Sequence, residues 1–472
     1  MPTAAIFDLD RTLLPGSSAT VFQQHLAAQG LLTERHIPGQ DLYRRSYEWF
    51  GENPIMMQLA RFFVRSAEGW PIADVDAAAE AAATELEEQI QPYARKLIAD
   101  HKEAGRKLVM ATTSPAPLVS PLARRLGFDA VVASEWIEDG VAYTGEADGD
   151  FVWGRAKARA VQNWARANGI DLSRSYAYSD SAYDAPLLSA VGNGVAVNPD
   201  PQLTIIAAIN GWEVRHLDVP PGVAKIAGRE IQDWLRPLSR PELVPNARWD
   251  ISGIENIPAT GGAIVVFNHR SYFDSTAVNL ALAQSGRPAR FLGKKEVFDA
   301  PIIGKISAMV GGIRVDRGTG SDEPLERAIE ALTSGEVVAM APQGTIPRGP
   351  AFFDPELKAR WGAAKLAHAS KVPVIPMGLW GTEKVWPRSA RLPRLLPTDA
   401  PEVTIRVGKP VKLKYRSLDA DTTRIMESIV DLLPPEAREH RTPTQEELAL
   451  TYPPGYSGDP EAEAERRPGT DT

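Results

Sequence analysis

The sequence contains no cysteine among its 472 residues. Disulfides and thiolate-held metals are therefore excluded, and any metal chemistry must use oxygen or imidazole ligands. It also lacks an uncharged apolar run near the roughly 20 residues that a membrane-spanning helix needs. Histidine is scarce, at 7 residues, so few positions can supply a base titrating near neutrality. No serine stands in a G-x-S-x-G elbow, which removes one common acyl-transfer nucleophile. No basic leader precedes the run AAIFDLD, and Asp8 and Asp10 already interrupt it, so the segment reads as a core strand rather than a secretion signal. A net charge of −8 gives no global electrostatic reason for nucleic-acid binding.

What is present is length enough for two cores and a regular alternation of short apolar runs with helix-like segments. That alternation predicts α/β architecture with largely parallel strands. In the first half the candidate strands are Ala4–Leu9, Lys107–Ala111, Ser175–Tyr178 and Gly194–Val197. About a hundred residues separate Asp10 from Thr112, too many for a loop, and their helix-like content predicts a helical cap at about residues 15–95. Prolines flank an amphipathic stretch after His216, which marks a boundary, with residues 216–239 as linker or interfacial helix. Beyond it, Ala263–Phe267, Val337–Ala341, Val372–Leu379 and Val403–Val407 read as strands, Glu323–Thr333 and Pro355–Ala369 as helices. From residue 435 the chain is poor in apolar residues and is expected to be disordered to residue 472.

Two groups of residues carry chemistry. FDLDRTLL puts Asp8 and Asp10 on one side of an extended strand end, where two carboxylates repel unless a cation or proton intervenes. A hard divalent ion, Mg²⁺ above all, would resolve that conflict. TTSP (Thr112 to Pro115), Lys157, and SDSAYD with Asp180 and Asp184 follow in order. This ordered set resembles the haloacid dehalogenase superfamily of phosphohydrolases, in particular its phosphoserine-phosphatase-like branch, over roughly residues 3–215 of a domain set at 1–215. The resemblance implies a Rossmann-like parallel sheet with an inserted helical cap. It implies that Asp8 attacks phosphorus and that Asp10 protonates the leaving oxygen and then activates water. Thr112, with Ser114 competing for the role, and Lys157 would hold phosphoryl oxygens. Asp8, Asp10, Asp180 and Asp184 would form the Mg²⁺ site and its support. Ser179 stands where glycine is usual, and Arg35, Arg44 and Arg45 of the cap could select the substrate, a small phosphomonoester.

In the second half, FNHRSYFD places His269 and Asp274 five positions apart, directly after the apolar run AIVVF. HIPGQD gives His36 and Asp41 the same spacing, so spacing alone proves nothing. Only His269 follows a buried-type strand, where α/β enzymes carry their chemistry. Asp274 could orient the imidazole while its other nitrogen takes a proton from a hydroxyl. Together with GGIRVDR, APQGTIPRG and VPVIPMGLWGTE, the motif resembles the glycerophospholipid acyltransferases typified by 1-acylglycerol-3-phosphate acyltransferases, over roughly residues 240–415 of a domain set at 240–434. The resemblance implies a second α/β domain in which His269 and Asp274 are catalytic, Arg317 contacts phosphate, Gln343, Gly344 and Thr345 line the acceptor pocket, and Pro376 lies beside the acyl-donor site. Where that family has Glu-Gly-Thr-Arg, this chain has Gln343, Gly344, Thr345 and Ile346. Isoleucine cannot hold phosphate, so Arg348 is the expected substitute.

The expected protein is therefore a fusion that makes phosphatidate from a lysophospholipid and acyl-CoA or an acyl carrier protein, and that hydrolyses a phosphomonoester with Mg²⁺. It is expected to be cytoplasmic and peripheral on the inner face of the cell membrane, through the basic, Trp-bearing stretch from Val223 to Leu235 and through PIIGKISAMVGGI. The alternatives are a different lipid acceptor and a non-catalytic, phosphometabolite-binding first half.

Overall fold

The short apolar runs become the central strands of two separate seven-stranded sheets in the computed structural model of the chain. The structure describes residues 1–32, 62–223, 225–226, 228–299, 303–315, 323–394 and 399–457. The His36/Asp41 pair, Arg35, Arg44, Arg45 and Arg317 lie outside those residues. The chain divides into two units, Met1–Pro221 and Gly222–Thr472.

The first unit is built on strands β1 (Ala4–Phe7), β2 (Lys107–Pro115), β3 (Ala130–Glu138), β4 (Tyr143–Asp148), β5 (Tyr176–Ser179), β6 (Asn193–Val197) and β7 (Glu213–Arg215), in the order β4-β3-β2-β1-β5-β6-β7. Only the β3/β4 pair is antiparallel. β1 is buried on both faces, as its unbroken apolar run requires, and apolar clusters lie on either side of it around Phe7 and Ile6. Helices α1 (Ala19–Ala28), α2 (Ile72–Glu88) and α3 (Ala94–Glu103) stand between β1 and β2, in the interval where a cap was expected. Helix α4 (Arg155–Ala167) carries Lys157.

The second unit orders its strands β8-β14-β13-β9-β12-β10-β11: β8 (Arg248–Ser252), β9 (Ala263–Phe267), β10 (Ala289–Lys294), β11 (Ile313–Val315), β12 (Val337–Met340), β13 (Val374–Trp380) and β14 (Glu402–Val407). All neighbours are parallel except β13 and β14. β9 is central and fully buried, and the chain after it runs to one side before β13 returns on the other, so its carboxyl end is the switch point at which such sheets carry their chemistry.

Three sequence expectations need correction. Residues 225–238 are not a free linker but part of the second unit. Arg290, almost fully buried, is held by Glu230 and Glu336, and the Gln232 amide donates to the carbonyls of Ala289 and Val310. The helix expected over Pro355–Ala369 begins only at Gly362. Ahead of it the Asp354 side chain accepts the Glu356 N–H and Arg360 N–H donates to the Pro342 carbonyl, bonds that compete with a helical ladder. The tail is not without structure. Helix Gln445–Leu450 starts in a capping box of Thr444 and Glu447, and buried Thr451 accepts the Gly349 N–H at 2.8 Å.

Candidate active sites

In the first unit, parallel pairing of β1 with β2 and β5 brings three strand ends together. The Asp8 N–H donates to the Tyr178 carbonyl, which fixes where β1 stops and its carboxylate begins. Lys157 is fully buried and donates to Asp8 Oδ1 at 2.9 Å and to Asp184 Oδ2 at 2.7 Å. Ser179, the departure from glycine, also donates to Asp184 Oδ2, at 2.8 Å. The other Asp184 oxygen, Oδ1, is buried with no hydrogen-bond partner. Asp180 meets the Thr12 hydroxyl at 3.3 Å and Arg11 Nε at 3.2 Å. Arg11 is held at φ 60°, a left-handed conformation unusual for a non-glycine residue and typical of tightly constrained sites.

Asp10 is turned away from this group, for its oxygens accept the Ser18 N–H and the Ser114 hydroxyl, the latter at 3.1 Å. Burial raises its carboxyl above the ordinary range, opposed by the bonds from Ser18 and Ser114 and by the Lys157 charge. Thr112 is fully buried and its hydroxyl oxygen accepts the Ser114 N–H, so Ser114, not Thr112, is the TTSP hydroxyl on Asp10. Among the described residues no three acidic or imidazole side chains are grouped to hold a metal ion. The four predicted carboxylate ligands are placed with different partners: Asp10 meets Ser18 and Ser114, Asp180 meets Thr12 and Arg11, and Lys157 bridges Asp8 and Asp184.

In the second unit the carboxyl end of β9 carries the pair. Asn268 is clamped to β13, donating to the Leu379 carbonyl and accepting its N–H. The His269 N–H donates to Gln343 Oε1 at 2.7 Å, so the glutamine's acceptor is spent on the backbone of this loop. His269 Nδ1 lies 2.7 Å from Asp274 Oδ2. Asp274 opens helix α5 (Asp274–Gln284) and is completely buried. It accepts the N–H groups of Arg270 and Ser271 at 2.6 and 2.8 Å and the Thr382 hydroxyl at 2.6 Å. With three other donors already on Asp274, His269 turns Nδ1 to the carboxylate and leaves Nε2 as the ring nitrogen free to face a substrate. The His269 side chain keeps 25% exposure while that of Asp274 has none, an arrangement suited to a base that meets substrate and a partner that does not.

A second layer steadies the loop. Arg270 forms a two-pronged pair with Glu383 at 3.1 and 3.0 Å, its guanidinium over the rings of Trp380 and Phe352. Burial would raise the Glu383 carboxyl, but the Arg270 charge and hydrogen bonds bring it below the usual range. Lys294 donates to the Thr345 hydroxyl at 3.2 Å. Ile346 is buried, and Arg348 lies over the Tyr456 ring at 4.6 Å.

Residues 5–189 match the family of haloacid dehalogenase-like hydrolases, and residues 248–380 match the acyltransferase family. The inhibition of morphological differentiation protein of Streptomyces azureus is 37% identical over 224 residues, which covers 45% of this chain and 77% of that protein. The chain belongs to the haloacid dehalogenase-like hydrolases and carries an acyltransferase domain. A phosphoserine phosphatase of Mycobacterium tuberculosis is 34% identical to it over 229 residues, covering 48% of this chain and 74% of that protein. The 1-acyl-sn-glycerophosphate acyltransferase structure from Thermotoga maritima is similar at 22% identity and a TM-score of 0.32, covering 42% of this chain and 76% of that one.

Sequence reasoning missed several residues that build the two sites. In the hydrolase unit, Gln91 is buried and donates to the carbonyls of Thr12 and Leu14, holding the loop after Asp10. In the acyltransferase unit, Thr382 and Glu383 support the His269–Asp274 loop from more than a hundred positions away. The ladder of β9 with β13 creates both contacts; the two residues close the motif VPVIPMGLWGTE, but nothing within that stretch shows that they meet the His269–Asp274 loop.

Proposed function

We propose that the acyltransferase unit transfers an acyl group from acyl-CoA or an acyl carrier protein to the free hydroxyl of 1-acylglycerol-3-phosphate, giving phosphatidate. The observation that carries this reading is the His269–Asp274 pair, with Asp274 saturated by donors and Nε2 left for the acceptor. As the acceptor oxygen attacks the thioester carbonyl, its proton passes to Nε2, and the carbon–sulfur bond then breaks with the proton returned to the departing thiolate. Peripheral membrane contact fits this acceptor. Trp234, Leu235 and Leu238 are exposed, as are Ile306 and Met309, and Gln232 ties the two segments by bonding to the Val310 carbonyl. Such a surface would sit at the headgroups without a spanning helix. Among the described residues no helix is long and apolar enough to cross a membrane.

The hydrolase unit, in the same proposal, hydrolyses a small phosphomonoester. Asp8 attacks phosphorus while Asp10, whose raised carboxyl favours the protonated form, gives its proton to the leaving oxygen. Asp10 then takes a proton from the water that cleaves the aspartyl-phosphate, freeing phosphate and Asp8. Lys157 steadies Asp8, and Ser114 is better disposed than buried Thr112 to meet the phosphoryl group. The donors fit a hard divalent cation, being oxygen only, with Asp8 and Asp180 on adjacent strands and a buried Asp184 oxygen lacking a partner. Mg²⁺ held by Asp8 and Asp180, with Asp184 behind them, would offset the charge of the phosphoryl group.

A second reading keeps acyl transfer but gives it an uncharged acceptor, because Ile346 is buried and apolar where related enzymes carry arginine. Acyl transfer from labelled acyl-CoA to lysophosphatidate and to monoacylglycerol, measured on the full chain and on His269→Ala, separates these readings. Preference for lysophosphatidate, lost in the variant, is the expected result. Equal or better use of monoacylglycerol by the parent would favour the second.

A further inference from the structure

Arg388 follows the short helix Thr382–Val385 and lies against both loops that build the acyltransferase relay. One loop runs from His269 to Asp274. Its Ser271 hydroxyl donates to the Trp386 carbonyl at 2.6 Å, and its Tyr272 meets the Trp386 ring edge-on at 5.6 Å. The other loop follows Gln343, the residue that holds the His269 backbone, and there Arg388 Nη1 donates to the carbonyls of Ile346 and Pro347.

What Arg388 lacks is a counter-charge. Among the described residues of this unit, the two buried arginines are each matched by carboxylates, Arg270 by Glu383 and Arg290 by Glu230 and Glu336. Arg388 forms no ion pair among the described residues, and its Nε is buried without a hydrogen-bond partner. The charged and titratable groups that face it are Tyr272, Arg348 and Tyr456, and of these Arg348 adds a second positive charge. Burial, ahead of these neighbours, pushes the Arg388 guanidinium below its ordinary value. Leaving a cation partly desolvated beside another cation costs free energy unless an anion completes the site. A phosphate oxygen reaching the Nε edge would satisfy the unmet donor and neutralise the unmatched charge, in the planar geometry for which a guanidinium is suited.

We propose that Arg388, flanked by Arg348, binds a phosphate group of the acyltransferase substrate and so replaces the arginine absent at position 346. Its Nη1 bond to the Ile346 carbonyl anchors a guanidinium at the residue whose side chain cannot provide one. The proposal rests on the acyl-transfer reading, and within it favours the phosphate of the acceptor over those of a CoA donor.

The test uses the full chain carrying Asp8→Asn, so that the hydrolase unit does not consume lysophosphatidate. In that background Arg388→Gln should raise the KM for lysophosphatidate about tenfold to a hundredfold, the scale of a charge-assisted hydrogen bond, with kcat little changed. The KM for monoacylglycerol should stay the same, and Arg388→Lys should recover part of the loss. A rise confined to the KM for acyl-CoA would support phosphate binding but assign it to the donor. No rise for either substrate, or an equal rise for lysophosphatidate and monoacylglycerol, overturns the proposal. Calorimetric binding of short-chain lysophosphatidate needs no turnover and separates this site from the acyl-transfer reading. Binding at least tenfold weaker in Arg388→Gln sustains the anion site even where no acyl transfer is found, and equal binding in the two proteins rejects it.

Discussion

The two candidate sites differ in how one cation beside each is matched. In the hydrolase unit Lys157 is fully enclosed between Asp8 and Asp184, so the site arrives with its charges already paired. In the acyltransferase unit the buried anion, Asp274, is satisfied by neutral N–H and hydroxyl donors beside His269, while the cation Arg388 meets no carboxylate among the described residues. The first arrangement holds Asp8 against a cation of its own unit. The second orients the His269 imidazole and leaves the Arg388 charge without an acidic partner among the described residues.

The largest expected effects test whether each pair is catalytic. Asp8→Asn removes the attacking oxygen and should reduce Mg²⁺-dependent phosphate release from a metabolite panel to background. His269→Ala should lower acyl transfer at least about a hundredfold, the usual scale for losing a general base, while His36→Ala leaves it unchanged. Equal losses in the two histidine variants, measured on folded protein, would remove His269 from its role.

Next comes the contrast between the two cations. Lys157→Met strands two buried carboxylates and should destabilise the hydrolase unit by about 3–5 kcal/mol, with part restored by adding Asp184→Asn. Arg388→Gln strands no acidic partner and should cost less than about 1 kcal/mol. Urea unfolding of the full-length variants checks both values, and comparable losses would erase the difference drawn between the sites.

A pH effect should distinguish the units as well. His101 is buried in the hydrolase unit, its Nε2 2.7 Å from the Tyr178 hydroxyl, and burial, helped by the charges of Arg106 and Arg215, lowers its ring from 6.5 to about 4. Above pH 6.5 both folded and unfolded forms are neutral and no dependence arises. Below it the unfolded chain takes up a proton that the folded ring refuses, so stability falls progressively toward pH 4, by about 3 kcal/mol in all. His101→Gln should flatten that decline in urea unfolding measured on either side of pH 6.5.

A milder loss of activity than at His269 is expected at Thr382. Thr382→Val deletes one of the four bonds to Asp274 and should cost about 1.5 kcal/mol, read as a roughly tenfold loss of acyl transfer with His269 and Asp274 still present. A loss as large as that of His269→Ala would mean that Asp274 depends on this one hydroxyl.

Much of the architecture could be read from the chain because its signals are local. AAIF and AIVVF are apolar without interruption, and each became the doubly covered central strand of a parallel sheet. His269 and Asp274 could be paired in advance because a strand end and a helix start lie within one short motif. The ligand set around Asp8 was less legible. Asp10 shares its tripeptide with Asp8, yet a loop bond to Ser18 and the approach of Ser114 from β2 turned it to other partners. Helix propensity over Pro355–Ala369 lost its first turns to a side-chain turn at Asp354 and a tie to Pro342.

Sequence by itself determined four strands of each sheet, their order and the residue types that follow them, since periodicity and motif spacing act over a few residues. It also showed that position 346 could not hold phosphate. Only the tertiary structure decided that Gln343 spends its oxygen on the His269 backbone, that Glu383 rather than solvent meets Arg270, and that Arg388 reaches the Ile346 carbonyl without a carboxylate of its own. Those facts depend on which distant segments the strand ladders bring within hydrogen-bond range. Desolvation and charge balance are properties of that assembled neighbourhood, and no short stretch of the chain contains them.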